Sequence, residues 1–427
     1  MNALETGSGT IVSAETHPVA GPSRGRRALF LPIKFVVGMV SCQSILGALV
    51  VAGWVLRVMQ RGALKEWWRS AGRTKAPGTF AQFLAADPET AGQVSWPNWF
   101  LAQDFRGWRT LLSSYVNNVK LGIQGMFNAW VFTLPAGVLW LFGWHFGWDN
   151  SFNKGYEQFW VGPALSWLGI FLFMAAMFYV PMAQARQAVT GNWKSFYQFD
   201  LVWKLVRRRW LASLGLAVLY AAASIPIMWL SAVPTFFTNI NPRVQDYTDR
   251  QVLGALNSFY FWSALVFFPA YVFLRMVAAR IYASAVLHSV QAGVIPPEAL
   301  AENEWKALHR LGLLEVRTAL PPKTWVRIVQ WAGSRAGRAT AGFLTALAWF
   351  GFVAQIYIRE FFNYHVATGW LNQPLVQLPW FHHVPARLQN PGLELLATVG
   401  IVVAGWLFLR VARKFRAWRS AGSALET

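Results

Sequence analysis

The chain has 427 residues, of which 55% are hydrophobic and only 13% are charged, about half the charged share of an ordinary soluble domain. Lys and Arg outnumber Asp and Glu by 38 to 18, but the mean hydropathy of +0.33 favours a lipid bilayer over nucleic acid as the partner of this charge. A single cysteine, Cys42, excludes an internal disulfide and a cysteine-based metal cluster.

The apolar segments predict an all-α polytopic membrane protein with about seven spans, or six if the first segment only lies along the interface. A spanning helix needs about 20 apolar residues. The candidates, in chain order, are residues 35–56, 121–144, 161–183, 210–235, 251–274, 339–358 and 395–409. The last of these is short and reaches full length only if Arg410 extends its charge toward the headgroups.

The distribution of Lys and Arg predicts the orientation of the chain. Segments on one side of the predicted spans carry 29 of these residues, and the alternating loops carry five. By the positive-inside rule the basic side is cytoplasmic, so we expect a bacterial-type inner-membrane protein with a cytoplasmic C-terminus. With seven spans the N-terminus is periplasmic, although four positive residues precede the first span.

Three stretches of similar plan suggest a repeat, in which a basic amphipathic helix leads into a span, an outer loop and a returning span. The first two share prolines in both spans, at Pro135, Pro181, Pro226 and Pro269. The predicted organisation is a disordered tail (1–27), a leading span (28–57), a basic cytoplasmic linker (58–95), hairpin repeats (96–185, 194–283 and 323–412), a cytoplasmic helical insertion (284–322) and a basic tail (413–427).

The amphipathic leads are typical of helices that lie in the membrane interface. In the second lead, apolar residues recur at helical spacing from Phe196 to Trp210, next to a run of three arginines. Each cation near an anionic leaflet contributes about 1 kcal/mol of attraction. We therefore expect anionic lipid headgroups to contact Arg207, Arg208, Arg209, Arg275 and Arg280. The other interpretation is that these arginines only set the orientation of the helices.

The sequence lacks the residues on which most membrane chemistry depends. No acidic residue lies in the centre of a predicted span, and Glu360 is expected at an outer end. The histidines His382 and His383 lack an acidic neighbour at ligand spacing, and no nucleotide-binding glycine motif is present. We therefore expect no catalytic, cofactor or metal site, and no enzymatic activity.

Two functional hypotheses remain. The first is a non-enzymatic structural or accessory subunit, or an assembly factor, of a multi-subunit membrane complex, with other membrane subunits and anionic lipids as partners and no nucleic acid. The high aromatic content, 16% of residues, suits such contacts. The alternative is a permease or lipid-handling protein, with a proline-kinked cavity and a basic inner gate at Arg275 or Arg280.

Overall fold

A computed structural model describes residues 24–75, 78–86, 108–148, 160–315, 324–362 and 368–379. Within these ranges the chain forms helices and short connections, without strands. The helices are α1 (Arg24–Ser41), α2 (Ile45–Lys75), α3 (Phe80–Ala85), α4 (Trp108–Trp148), α5 (Val161–Thr190), α6 (Phe199–Arg208), α7 (Trp210–Ala232), α8 (Phe237–Ile240), α9 (Asp249–Gln291), α10 (Glu302–Arg310), α11 (Thr324–Phe362) and α12 (Thr368–Leu371).

Six stretches in the described part of the chain are helical, long and apolar enough to cross a membrane. They are Ile45–Gly72, Leu112–Trp144, Val161–Thr190, Trp210–Ile240, Asp249–Gln291 and Trp331–Phe361. The predicted all-α polytopic membrane protein is therefore confirmed. The predicted seventh span (395–409) and the basic tail (413–427) lie outside the described residues, as do most of the N-terminal tail and the residues from 87 to 107.

The predicted first span is not one helix, because the chain turns at residues 42–44 between α1 and α2. Polar side chains stabilise the helix ends at this turn. Ser41 Oγ donates to the Val37 carbonyl, and Ser44 Oγ accepts from the Gly47 amide at 3.1 Å, as an N-cap does. Gly47 also passes so close to the Ser41 carbonyl that a side chain there would collide with it.

Helices α1 and α2 form an antiparallel hairpin. Phe35 in α1 and Trp54 in α2 both contact the ring of Phe268, so the two helices reach the same level of α9. From that level the chain moves about 9 Å to Ser41, turns, and returns about 14 Å from Ile45. The start of α1 and the basic end of α2 therefore lie on the same face of the bundle.

The remaining helices pack around α2, α5 and α9. Helix α4 packs along α5, as the first predicted hairpin requires, whereas α7 packs mainly on α11 rather than on its sequence partner α9. Helices α2 and α4 cross closely at glycines, since a Cβ on Gly53 would meet the Asn118 carbonyl. The four prolines predicted to kink spans all lie inside helices, in α4, α5, α7 and α9.

The interfacial leads differ from one another in the structure. The second lead forms the separate amphipathic helix α6, which ends at Arg208; at the next residue, Arg209, the backbone leaves helical geometry (φ −122°, ψ 44°) before α7 begins. The third lead is continuous with its span, because α11 runs unbroken from Thr324 to Phe362. Only the end of the predicted first lead is described, as the beginning of α4.

Candidate functional site

Residues 368–379, which follow α11, form a buried segment where the sequence predicts an outer loop. After the single turn of α12 the backbone is irregular, and the side chains from Gln373 to Leu378 are buried. Apart from protein-lined sites and water-filled cavities, irregular backbone does not occur at membrane depth, because its polar groups need partners. We call residues 368–379 the buried segment.

Side-chain amides satisfy the backbone of the buried segment. The Gln373 amide N–H donates to Gln377 Oε1 at 2.6 Å, and the Leu378 N–H donates to Asn372 Oδ1 at 3.1 Å. Asn372 Nδ2 returns a bond to the Leu378 carbonyl at 3.3 Å. The segment is thus held in a compact turn by its own Asn and Gln residues, which explains why these polar residues stand in an otherwise apolar stretch.

The inner end of the buried segment rests on Arg275 of α9. The Arg275 guanidinium donates to the Val376 carbonyl and to Gln184 Oε1, and it lies 3.4 Å from the Tyr220 hydroxyl. Its carbon Cζ lies 4.8 Å above the ring of Tyr271. Helix α9 continues from Arg275 toward its C-terminal end, and His288 near that end is 13 residues, or about 20 Å along the helix, away from Arg275. The segment therefore reaches deep into the bundle.

A second contact fixes the same end of the segment. The Tyr271 hydroxyl donates to the Gln377 carbonyl at 3.1 Å, and Gln377 Nε2 donates to Thr133 Oγ1 of α4 at 2.6 Å. Helices α4 and α9 thereby hold the segment from two sides, and its register relative to both helices is fixed.

The outer end of the segment is held by Arg359 and Glu360, which the sequence places at an outer helix end. Both side chains are buried, with Arg359 4% exposed and Glu360 0% exposed. Arg359 Nη2 donates to the Gly369 carbonyl at 3.0 Å and to Gln373 Oε1 at 2.7 Å. Arg359 Nε donates to Glu360 Oε1 at 2.6 Å. Arg359 is thus held by Glu360 within α11 and ties the segment to the end of this helix.

A small recess of about 20 Å³, part of it open, lies between the buried segment, α7 and α11. Its polar lining consists of a hydroxyl, two amides and a guanidinium, from Ser224, Gln355, Gln373 and Arg359. Its apolar lining comes from Ile227, Met228, Phe352, Ile356, Pro374 and Leu375. The lining combines hydrogen-bonding groups with an apolar wall, as small-molecule sites do, but the recess is far smaller than such sites and has room for about one water-sized molecule.

A buried ion pair closes the basic side of the bundle. Arg186 at the end of α5 lies 3.1 Å from Glu304 of α10, and both side chains are almost completely buried. Tyr282 of α9 donates to Glu304 and lies 3.0 Å from Arg186 Nη1. Asn303 donates to the Thr190 carbonyl at 3.1 Å. The predicted insertion 284–322 thus docks on the spans through its helix α10.

The five arginines predicted to contact lipid occupy different surroundings. Arg207, Arg208 and Arg280 are exposed, and Arg209 is half-buried, where it bonds to Ser284 and lies within 3.2 Å of the His288 ring. Arg275 is only 3% exposed and its guanidinium bonds to protein groups. The sequence missed this role because the buried segment, its main partner, follows 101 residues later and carries no charge.

The site carries no sign of a metal or of a known family. Within the described ranges, His, Cys, Asp and Glu residues do not gather into a group that could hold a metal ion. His382 and His383 lie outside the described residues. The chain matches no protein-family model, no curated protein and no solved structure. The chemistry of the buried polar groups is therefore the basis for a functional proposal.

Proposed function

We propose that the protein is a permease that carries a small polar solute through the interior of its helix bundle. The observation that carries this proposal is the buried segment 368–379, which is irregular after Leu371, is enclosed by the spanning helices and lines a recess with Ser224, Gln355 and Arg359. A purely structural bundle gains nothing from such a recess, because polar groups in hydrocarbon are costly and are kept where they serve a solute or ion route.

A succession of polar groups extends from the recess toward the basic face and supports the same proposal. Gln373 and Arg359 line the recess, and the buried segment leads from there to Arg275. Arg275 bonds to Gln184, which precedes Arg186 by two residues on α5. These groups could exchange hydrogen bonds with a passing solute if the segment or α10 moves.

The accessory-subunit hypothesis remains the second candidate, and the start of α11 favours it. Large apolar side chains there are more than half exposed, at Trp325, Ile328, Val329 and Trp331. Such a surface suits either the membrane interface or a partner subunit. Blue-native electrophoresis separates the two functions, because an accessory subunit migrates in a stable hetero-complex and a permease migrates as a monomer or homo-oligomer.

We also propose that the basic face is cytoplasmic in a bacterial-type inner membrane, with a cytoplasmic C-terminus. The exposed arginines Arg207, Arg208 and Arg280 are then available to anionic headgroups, and Arg209 to a lesser degree. The hairpin of α1 and α2 favours a cytoplasmic N-terminus as well, in contrast to the sequence-based expectation. The positive residues in the first part of α1, Arg24, Arg26, Arg27 and Lys34, would then obey the positive-inside rule.

Osmotic reswelling of proteoliposomes tests the permease proposal. Vesicles that contain the purified protein are shrunk in glycerol, glycine or potassium chloride, the last with valinomycin present so that potassium can follow the anion, and reswelling is followed by light scattering. We expect faster reswelling than in empty vesicles for at least one of these solutes, and a several-fold loss of that gain in Gln355→Leu. The lipid-facing change Ile358→Leu is the matched control and should behave like the wild type.

Two results would contradict the proposal. One is reswelling no faster than that of empty vesicles with all three solutes. The other is a Gln355→Leu variant that transports as fast as the wild type, because the recess would then not lie on the solute route.

A further inference from the structure

The turn between α1 and α2 brings together two cations that a single span would separate. Lys34 precedes the uncharged run 35–56, and Arg57 follows it. A run of this length is enough to cross a bilayer, which would leave one cation on each side. Because the run folds back on itself as a hairpin, Lys34 and Arg57 instead lie on the same side of it.

The two cations also lie at nearly the same level. Phe35 and Trp54 both contact the ring of Phe268, which relates the level of α1 to that of α2. Lys34 directly precedes the first of these aromatic residues, and Arg57 follows the second by three positions. Since both steps lead toward the basic face, the cations differ in level by about 3 Å along the helix axes. Both side chains are half-buried.

The surrounding helices offer these cations no carboxylate. Within the described ranges, Lys34 and Arg57 form no ion pair and no side-chain hydrogen bond, and Arg57 Nε is buried without a partner. Arg61, one turn beyond Arg57, interacts electrostatically with both. Helices α1, α2, α4, α5 and α9 contain two acidic residues, of which Glu66 lies about 14 Å past Arg57 along α2 and Asp249 begins α9. An anion between the two cations would reduce their repulsion.

Apolar side chains next to Lys34 face outward in the direction that acyl chains take. Ile33, Val36 and Val40 of α1 are 38%, 54% and 54% exposed. Their helical spacing places them in one stripe, which extends from the level of Lys34 toward the turn and away from the basic face. A free phosphate makes no use of such a stripe, whereas a phospholipid would lay its acyl chains along it.

We propose that Lys34 and Arg57 form a site for the phosphate of one anionic phospholipid, whose acyl chains lie along the stripe of Ile33, Val36 and Val40. The phosphate oxygens accept charge-assisted hydrogen bonds from the ammonium of α1 and the guanidinium of α2, so the lipid links the two helices of the hairpin. The site is separate from the exposed arginines of α6 and α9, and it does not depend on the solute route.

Native mass spectrometry of the full-length protein released from detergent micelles tests the site. Phosphatidylglycerol is the probe, and phosphatidylcholine with the same acyl chains has a headgroup without net charge. We expect the wild type to retain phosphatidylglycerol at concentrations where phosphatidylcholine is lost. Lys34→Gln combined with Arg57→Gln should weaken the tightest phosphatidylglycerol binding on the order of 30-fold, because two cations beside the anionic group are removed.

The matched control removes two exposed cations from the same helix. Lys65→Gln combined with Arg69→Gln should bind phosphatidylglycerol as the wild type does. If the first double variant does not purify as a monodisperse protein, Lys34→Gln alone should weaken binding about fivefold.

Three results would overturn the proposal. The first is equal phosphatidylglycerol binding by the wild type and the variants that lack Lys34, and the second is equal retention of phosphatidylcholine by the wild type. The third is displacement of the lipid by inorganic phosphate at the same concentration, because the site would then hold a free phosphate and not a phospholipid.

Discussion

Replacing Glu304 by Gln should release helix α10 from the spans, because the change removes the carboxylate that neutralises the buried Arg186. The new amide side chain would keep the size of the glutamate but not its charge. Removing one partner of a buried ion pair costs about 3–5 kcal/mol, since the remaining charge is left desolvated. The bundle avoids that cost if α10 moves away and water reaches Arg186.

The contacts that hold α10 are comparable in strength to this cost. The buried Leu308 contributes about 2 kcal/mol, and the hydrogen bond from Asn303 to the Thr190 carbonyl contributes about 1 kcal/mol. A loss of about 3 kcal/mol is therefore as large as these two contacts together. It should raise the population of the undocked state on the order of 100-fold, while the spans remain folded.

Hydrogen exchange measured by mass spectrometry on peptides covering residues 302–310 reports this release. Glu302→Gln is the matched control, two residues away, because Glu302 is exposed and its pKa is lowered only by the surface pair with Lys306. Equal protection of α10 in the two variants would refute the role given to the ion pair. The double change Arg186→Met with Glu304→Leu should restore protection, since neither buried charge remains.

Two further changes test the packing of the segment and the orientation of the chain. Gly369→Ala should lower the thermal unfolding midpoint, because the added methyl group meets Glu360. The control Gly342→Ala lies in open space on α11 and should leave the midpoint unchanged or slightly higher. Equal midpoints in the two variants would contradict the packing of the segment. A protease site fused before Met1 and one inserted after Val294 should be cut from the same side of membrane vesicles, and cutting from opposite sides would exclude the α1–α2 hairpin.

Much of the fold follows from hydropathy, because a span is a local property of about 20 residues. Six of the predicted spans correspond to described helices that are long and apolar enough, although the first is divided by a turn at Ser44. Ser44, which caps α2, and the nearby Ser41 are local signals of this turn, but hydropathy alone does not reveal the turn because both serines lie within a long apolar run. The location of the four prolines inside spanning helices was equally predictable, since each proline lies within an apolar window.

The site could not be predicted in the same way, because its contacts join distant parts of the chain. Arg359 and Glu360 end a span, and such a position normally faces headgroups or water. Only the return of residues 368–379 buries them. The amides of Gln373 and Gln377, set among apolar residues, are the one signal in the sequence that this stretch is enclosed by protein rather than exposed in a loop.

Cysteine accessibility at two neighbouring positions of α7 tests the solute route most directly. The native Cys42 is fully buried and can be replaced by Ala. Ser224 lines the recess and is 8% exposed, whereas Ile225 is 46% exposed on the outside of the bundle, where lipid covers it. Silver ion, a charged thiol reagent close to a water molecule in size, should modify Ser224→Cys and leave Ile225→Cys unreacted. An unreactive Ser224→Cys would show that water does not enter the recess, and it would contradict a solute route at this place.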